Sequence, residues 1–333
     1  MKIFISFSTF FFLSISQSIF ANTNISHAIA MHGEPKYNED FVSVEYICNS
    51  ALKGGNIVRS SIGNYDTFNP FTLKGTSASG IGLLYESLTV GSSDEAFTEY
   101  GLLAKHIEWP DDRSWVEFTI RDHAKWHDGE KIKSDDVVWT FNTLMEKGHP
   151  FYKYYYGDVV EAIKESENKV RFNFKGNTNL ELALIVGQLP VLPKHYWENK
   201  NFEETTLEIP IGSGPYKIKD FDAGRSITYE LDINYWGKNI PIKKGTENFG
   251  TIKYEYYKDR SIEREAFKSG DIDLFSENSS KEWATSYEIP AVKNNLIKKD
   301  LISHENPQGM QAFVYNTRRE IFKDKKVREA LSY

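Results

Sequence analysis

Residues 125–141 read KWHDGEKIKSDDVVWTF and set a tight turn directly against an amphipathic helix. Asp128-Gly129 suits a hairpin, because both residues tolerate positive φ. Upstream, Val116, Phe118 and Ile120 form one face of a strand running toward that turn. Downstream, Ser134 can cap a helix whose first turn holds Asp135 and Asp136, both favourable near the positive end of the helix dipole. Val137, Val138, Phe141, Leu144 and Met145 then line one side, and Gly148 and Pro150 close it. The two-residue period of a half-buried strand recurs at Val170, Phe172 and Phe174, at Ile227, Tyr229 and Leu231, and at Ile252, Tyr254 and Tyr256. A shorter helix starts after Ser261 and ends at Gly270, with residues 271–275 expected as the next strand. Another helix opens near Asp324 and runs through Val327, Ala330 and Leu331. Short strands and modest helices mixed in this way make an α/β protein.

The ends and the composition narrow the class. Lys2 precedes an apolar run to Phe20 that holds no acidic residue, the pattern of a secretory leader. Seven hydroxyl or amide residues interrupt the run, whereas a membrane anchor needs roughly 20 strongly apolar ones. Ala21, Ala28 and Ala30 are candidate cleavage points, Ala28-Ile29-Ala30 being the neatest, so the leader is assigned residues 1–30 and the protein to the periplasm. With Cys48 as the only cysteine there is no internal disulfide, and stability must come from a large core. A chain of 333 residues, 40% hydrophobic and 14% aromatic, can bury one and should hold more than one domain. A net charge of −7 with dispersed Lys and Arg excludes a nucleic-acid footprint, which needs a basic face.

The order of short motifs is more specific than any reactive constellation. It runs DTFNPF at 66–71, GLLYESL at 82–88, WVEFTIR at 115–121, KWHDG at 125–129 and SDDVVWTF at 134–141. It continues with GSGPYKI at 212–218, NYWG at 234–237, AFKSGDID at 266–273, YNT at 315–317 and FKDKKVREAL at 322–331. In that order they resemble the family 5 extracellular solute-binding proteins, the dipeptide- and oligopeptide-binding group of ABC importers. MHG at 31–33, KGG at 53–55, FTEYGLLA at 97–104, GQLPVLPKH at 187–195, HENP at 304–307 and GMQ at 309–311 sharpen the likeness to the Yej-type branch, which binds oligopeptides and microcin C.

The resemblance implies a periplasmic-binding-protein type II fold, a two-lobed clamp with an inserted subdomain. Lobe I would comprise residues 31–73 and 206–278, the inserted subdomain 74–205, and the start of an incomplete lobe II 279–333. It implies a monomeric receptor without a cofactor, holding an oligopeptide between its lobes and delivering it to membrane permease subunits. The peptide would be held through its main chain, with roomy pockets for its side chains. Candidate contacts are Lys74, Gly75, Thr76 and Ser77 after the Asn69-Pro70 turn, Phe151 and Tyr155 as an aromatic wall, and Gly309, Met310 and Gln311 near the lobe junction. Within the same family cellobiose or a nickel chelate is the alternative ligand. Cut short in its second lobe, the clamp could not close, and Phe313, Val327 and Leu331 would be left exposed, so a remnant without function is a further alternative.

Enzymatic readings find no support in the sequence. His127-Asp128 sits on the hairpin turn, and His32, His149, His195 and His304 lack metal-ligand spacing. Gly212-Ser213-Gly214 is neither a hydrolase nucleophile elbow nor a phosphate loop.

Overall fold

The computed structural model describes residues 23–48, 50–303, 309–310 and 312–332. The strands are β1 (Thr23–Ser26), β2 (Ala28–Ala30), β3 (Asn56–Ile62), β4 (Thr89–Ser92), β5 (Glu95–Gly101), β6 (Ala104–Pro110), β7 (Trp115–Ile120), β8 (Val159–Ser166), β9 (Lys169–Phe174), β10 (Tyr216–Asp222), β11 (Ser226–Leu231) and β12 (Thr251–Tyr257). The helices are α1 (Ser134–Lys147), α2 (Pro150–Tyr155), α3 (Leu182–Gly187), α4 (Lys194–Trp197), α5 (Arg260–Ser269), α6 (Ser280–Thr285), α7 (Pro290–Lys293), α8 (Glu320–Lys323) and α9 (Lys325–Ala330), with one 3₁₀ turn at Ile81–Leu84.

Three sheets form. A five-stranded antiparallel sheet runs β1-β6-β7-β9-β8, and its inner row of Ile107, Val116, Phe118, Val170 and Phe172 is fully buried. α1 lies on that row, with Phe141 edge-on to Phe172 at 5.6 Å. A four-stranded sheet runs β10-β11-β12-β3, in which β3 and β12 are parallel partners although most of the chain lies between them. A three-stranded sheet runs β2-β5-β4. The two larger sheets share one continuous core that passes through Ile81, Leu84, Tyr85 and Tyr216. A smaller core gathers Tyr37, Val44, Tyr100, Leu102, Ile240 and Ile242. Beyond Ser279 the described residues form short helices and no sheet, and among them only Tyr287 is buried.

Two expectations, a helix cap and a strand, need adjusting, and the structure also bears on the leader boundary and the 73/74 division. Ala28, Ile29 and Ala30 are 1%, 0% and 6% exposed, and they pair with Tyr100, Glu99 and Thr98 of β5. A leader reaching residue 30 would strip both β1 and β2 from their sheets. The leader run itself lies outside the described residues. Ser134 is the first helical residue of α1 and not its cap; its buried hydroxyl donates to the Ser166 carbonyl. Asp136 does the capping, accepting the Lys133 amide at 2.9 Å and the Lys194 amide at 3.0 Å. Residues 271–275 are not a strand. Asp273 donates its amide to the Val58 carbonyl and takes the Val58 amide with its own side chain, which ends the pairing after one residue. Residues 74–80 are bonded to the four-stranded sheet and to Asp66–Thr67, so the expected division at 73/74 cuts through a wired loop.

Candidate functional site

The loop at 74–77 is fastened on one side and open on the other. Thr76 donates its amide to the Asp66 carboxylate at 2.6 Å, and its carbonyl receives the amides of Asp66 and Thr67 at 3.0 and 3.3 Å. Ser77 bridges Thr67, whose hydroxyl exchanges hydrogen bonds with the backbone of Thr206. Gly75 has φ of 79°, and a Cβ there would lie 2.6 Å from Asp66 Oδ1 and 2.8 Å from Thr205 Cγ2. Only glycine fits both the conformation and the space. With their inner sides so engaged, Lys74, Gly75, Thr76 and Ser77 all face solvent.

Beneath the end of this loop lies a rack of tyrosines from the four-stranded sheet. Ser79 donates its amide to the Tyr256 hydroxyl at 2.7 Å, and its carbonyl receives the Tyr229 hydroxyl at 2.8 Å. The Ser61 and Ser79 hydroxyls meet at 2.7 Å. Tyr254 accepts from Arg59 at 3.1 Å, and its ring, with that of Tyr229, presses on Gly80, where a Cβ would come within 2.5 Å. Burial holds the Tyr229 hydroxyl protonated far above its ordinary range and pushes neighbouring Tyr65 up to about 12. Strand periodicity finds the inward faces of β11 and β12 but cannot show that their hydroxyls reach a backbone from a distant segment. The only available hint is the excess of Tyr on those faces, where Val or Ile would suffice.

Phe151 and Tyr155 stack at 4.8 Å on α2, and Phe151 is 49% exposed. Tyr152 and Tyr155 are both half-buried against the core and Tyr156, just past the helix, is buried, so Phe151 is the exposed member of this aromatic group. Tyr155 lines a groove of about 370 Å³ with Phe97, Glu99, Glu181 and Gln188. Glu99 is 5% exposed and accepts from Thr89 at 2.9 Å and Gln188 at 2.8 Å; burial holds its carboxyl above the usual range. Burial, and then the nearby Glu181 and Glu99, raise Tyr155 as well.

The third group is not assembled. Met310 is 85% exposed, and among the described residues no hydrogen bond joins Gly309 or Met310 to the 74–77 loop. Gln311 lies outside the described residues. Ser213 is fully buried and accepts the Glu86 amide at 3.2 Å, which leaves its hydroxyl no access to a substrate. Among the described residues no three His, Cys, Asp or Glu side chains converge as metal ligands, and no helix is long and apolar enough to cross a membrane.

Separate sheets arranged around a long insertion match the periplasmic-binding-protein type II fold, as superposition on solved structures shows. The oligopeptide-binding protein AppA from Bacillus subtilis, in complex with a nonapeptide, superposes with a TM-score of 0.59 at 23% identity over 85% of this chain and 54% of that one. NikZ from Campylobacter jejuni, in complex with Ni(L-His), gives 0.60 at 22% identity over 84% of this chain and 52% of that one. At such identities the likeness establishes the fold alone. The chain belongs to the bacterial extracellular solute-binding proteins, family 5, whose model matches residues 98–333. A relative in Agrobacterium fabrum, named peptidoglycan-binding protein YepA, is 42% identical over 323 residues, covering 92% of this chain and 52% of its own. The probable peptide-binding protein YejA of the same organism is 40% identical over 314 residues, covering 92% of this chain and 51% of its own. The chain thus spans about half the length of these curated relatives.

Proposed function

We propose that this chain supplies the first lobe and inserted subdomain of a periplasmic receptor that binds oligopeptides, without transforming them, for the permease of an ABC importer. The observation that carries the reading is the 74–77 loop, because wiring on one side and exposure on the other is what main-chain recognition of an extended ligand requires. Gly75 supplies the left-handed turn that lets the loop fold against Asp66 and Thr205, while the hydroxyls of Thr76 and Ser77 can each give and take a hydrogen bond. Phe151 and Tyr155 offer a rigid aromatic surface for a peptide side chain. Gly309, Met310 and Gln311 would approach from the opposite lobe. The names of the 40% identical relative in Agrobacterium fabrum and of the AppA nonapeptide complex support a peptide ligand. Isothermal titration of the chain, extended to the length of its relatives, with tri- to nonapeptides tests this. Saturable binding that falls when Thr76 and Ser77 are both changed to Ala is expected, and no heat with any peptide in a broad library overturns it.

A second reading narrows the ligand to peptides of the cell wall. It is supported by the relative at 42% identity, which is named for peptidoglycan binding. Chiral amino-acid analysis of ligands carried through purification separates the two, since wall peptides contain D-amino acids that ordinary peptides lack.

A further inference from the structure

His127 holds together two segments that sequence reading leaves without a role, the 125–131 hairpin and Gly212-Ser213-Gly214. Its backbone amide donates to the Gly212 carbonyl at 2.8 Å. Its ring then bridges the same segment, with Nδ1 3.2 Å from the Gly212 amide and Nε2 2.9 Å from the Gly214 carbonyl. A backbone amide can only donate and a carbonyl only accept. Nδ1 must therefore be a bare lone pair and Nε2 must carry the proton, a pairing available to neutral imidazole and lost in the cation, where both nitrogens donate.

The contact leaves no room for adjustment. A Cβ on Gly212 would lie 1.9 Å from the Leu84 carbonyl and 3.1 Å from the His127 ring, and one on Gly214 would lie 2.3 Å from the Leu83 carbonyl. Ser213 and Gly214 both donate to Leu84 at 2.8 Å, and Leu84 ends the 3₁₀ turn that begins just after Gly80. The charges facing the ring come from three elements. Asp128 on the same turn is paired with His195 of α4 at 2.8 Å. Lys217 at the start of β10 lies 3.4 Å from the His127 carbonyl, and its ammonium pairs at 2.7 Å with Asp232, which follows β11.

We propose that His127 is a positioning residue that fastens the hairpin to residues 212–214 only as the neutral Nε2–H tautomer, so that acidification releases this junction. The electrostatics agree in direction. Burial pulls the imidazole below its ordinary value and Lys217 adds to this, against the Gly214 bond, Asp232 and Asp128. The unfolded state then binds more protons than the native one in the window just below the unperturbed histidine value of about 6.5, and stability is lost as pH falls through it.

The test uses the 333-residue chain with ¹⁵N-labelled histidine. Long-range ¹H–¹⁵N spectra at pH 7.5 should show His127 protonated at Nε2 alone. Urea unfolding between pH 7.5 and 5 should show a loss of stability in the wild type that is reduced in H127Q, because glutamine presents one acceptor and one donor and does not titrate. H195Q, which removes the imidazole paired with Asp128, should retain the His127 component. A charged or Nδ1–H ring at pH 7.5, or an H127Q profile that superimposes on the wild type, overturns the proposal. If H127Q fails to fold, the tautomer in the wild-type spectrum decides.

Discussion

Glu277 sits where the chain leaves the four-stranded sheet for the short helices beyond Ser279, and its replacement by Gln should loosen that passage selectively. The carboxylate is 3% exposed and accepts from Arg264 Nε at 2.9 Å, the Ser279 amide at 2.9 Å and the Tyr287 hydroxyl at 2.7 Å. Although partial burial opposes it, Arg264 together with these donors holds the carboxyl down from 4.5 to about 2. That difference corresponds to about 3 kcal/mol at about 1.4 kcal/mol per pKa unit, discounted to about 2 kcal/mol because Gln keeps one acceptor for the same donors. Hydrogen exchange reads the effect at the Trp283 and Ser286 amides, which bond the Ser279 and Glu282 carbonyls at 2.8 Å each within α6. At pH 7, E277Q should lower their protection by about 30-fold, the factor equivalent to about 2 kcal/mol. Because the folded value is depressed, the contribution is complete above the unfolded value near 4.5 and fades as pH falls toward 2. The ratio of protection between wild type and E277Q should therefore shrink at pH 3.5. An unchanged ratio at the two pH values, or equal protection at pH 7, refutes the assignment of Glu277 as a charged anchor.

Three other outcomes are expected. Gly75→Ala places a Cβ against Asp66 in a left-handed conformation and should cost about 2 kcal/mol by thermal melting, with weaker ligand binding as the accompanying loss. Lys243→Met leaves Glu86, which is deeply buried and lies 3.6 Å from the ammonium, without its cation; urea unfolding should show about 3 kcal/mol lost, and a neutral effect would mean that Tyr235 alone satisfies the carboxylate. N-terminal sequencing of exported protein should find a first residue no later than Thr23, and a start at Met31 would contradict the buried β2 strand.

Much of the fold is written locally in the sequence. Alternation at Val170, Phe172 and Phe174 predicts β9, and the spacing of Val137, Phe141 and Leu144 predicts the buried face of α1, because each depends only on period and burial. Ser134 shows the limit of that logic. Its hydroxyl suits a cap, but the Ser166 carbonyl, 32 residues away, claims it, and Asp136 takes over. Ala28-Ile29-Ala30 reads two ways for a related reason, since small residues that suit a cleavage site equally suit a tightly packed strand. The site divides in the same way. Gly75 and its neighbours are legible because glycine in a polar loop marks unusual backbone, whereas the tyrosine hydroxyls on Ser79 come from residues 150 and 177 positions away. Long-range polar pairing leaves no local periodicity to read.

The parallel pairing of β3 with β12 also sets the order in which the molecule can be made. Asn56 and Thr251, which share a hydrogen bond across that pair, are 195 residues apart. β3 therefore leaves the ribosome with one edge waiting for a partner whose synthesis takes roughly 10 to 40 s longer, at about 5–20 residues per second. During that interval the hairpins β6-β7 and β8-β9 and helix α1, whose contacts are mostly local, can already assemble. Closing the loop between β3 and β12 costs least once the intervening chain is compact, so the insertion acts as a folded spacer that shortens the search. The same distance in sequence leaves an isolated β3 edge open until β12 arrives, and substitutions in β12 should slow folding.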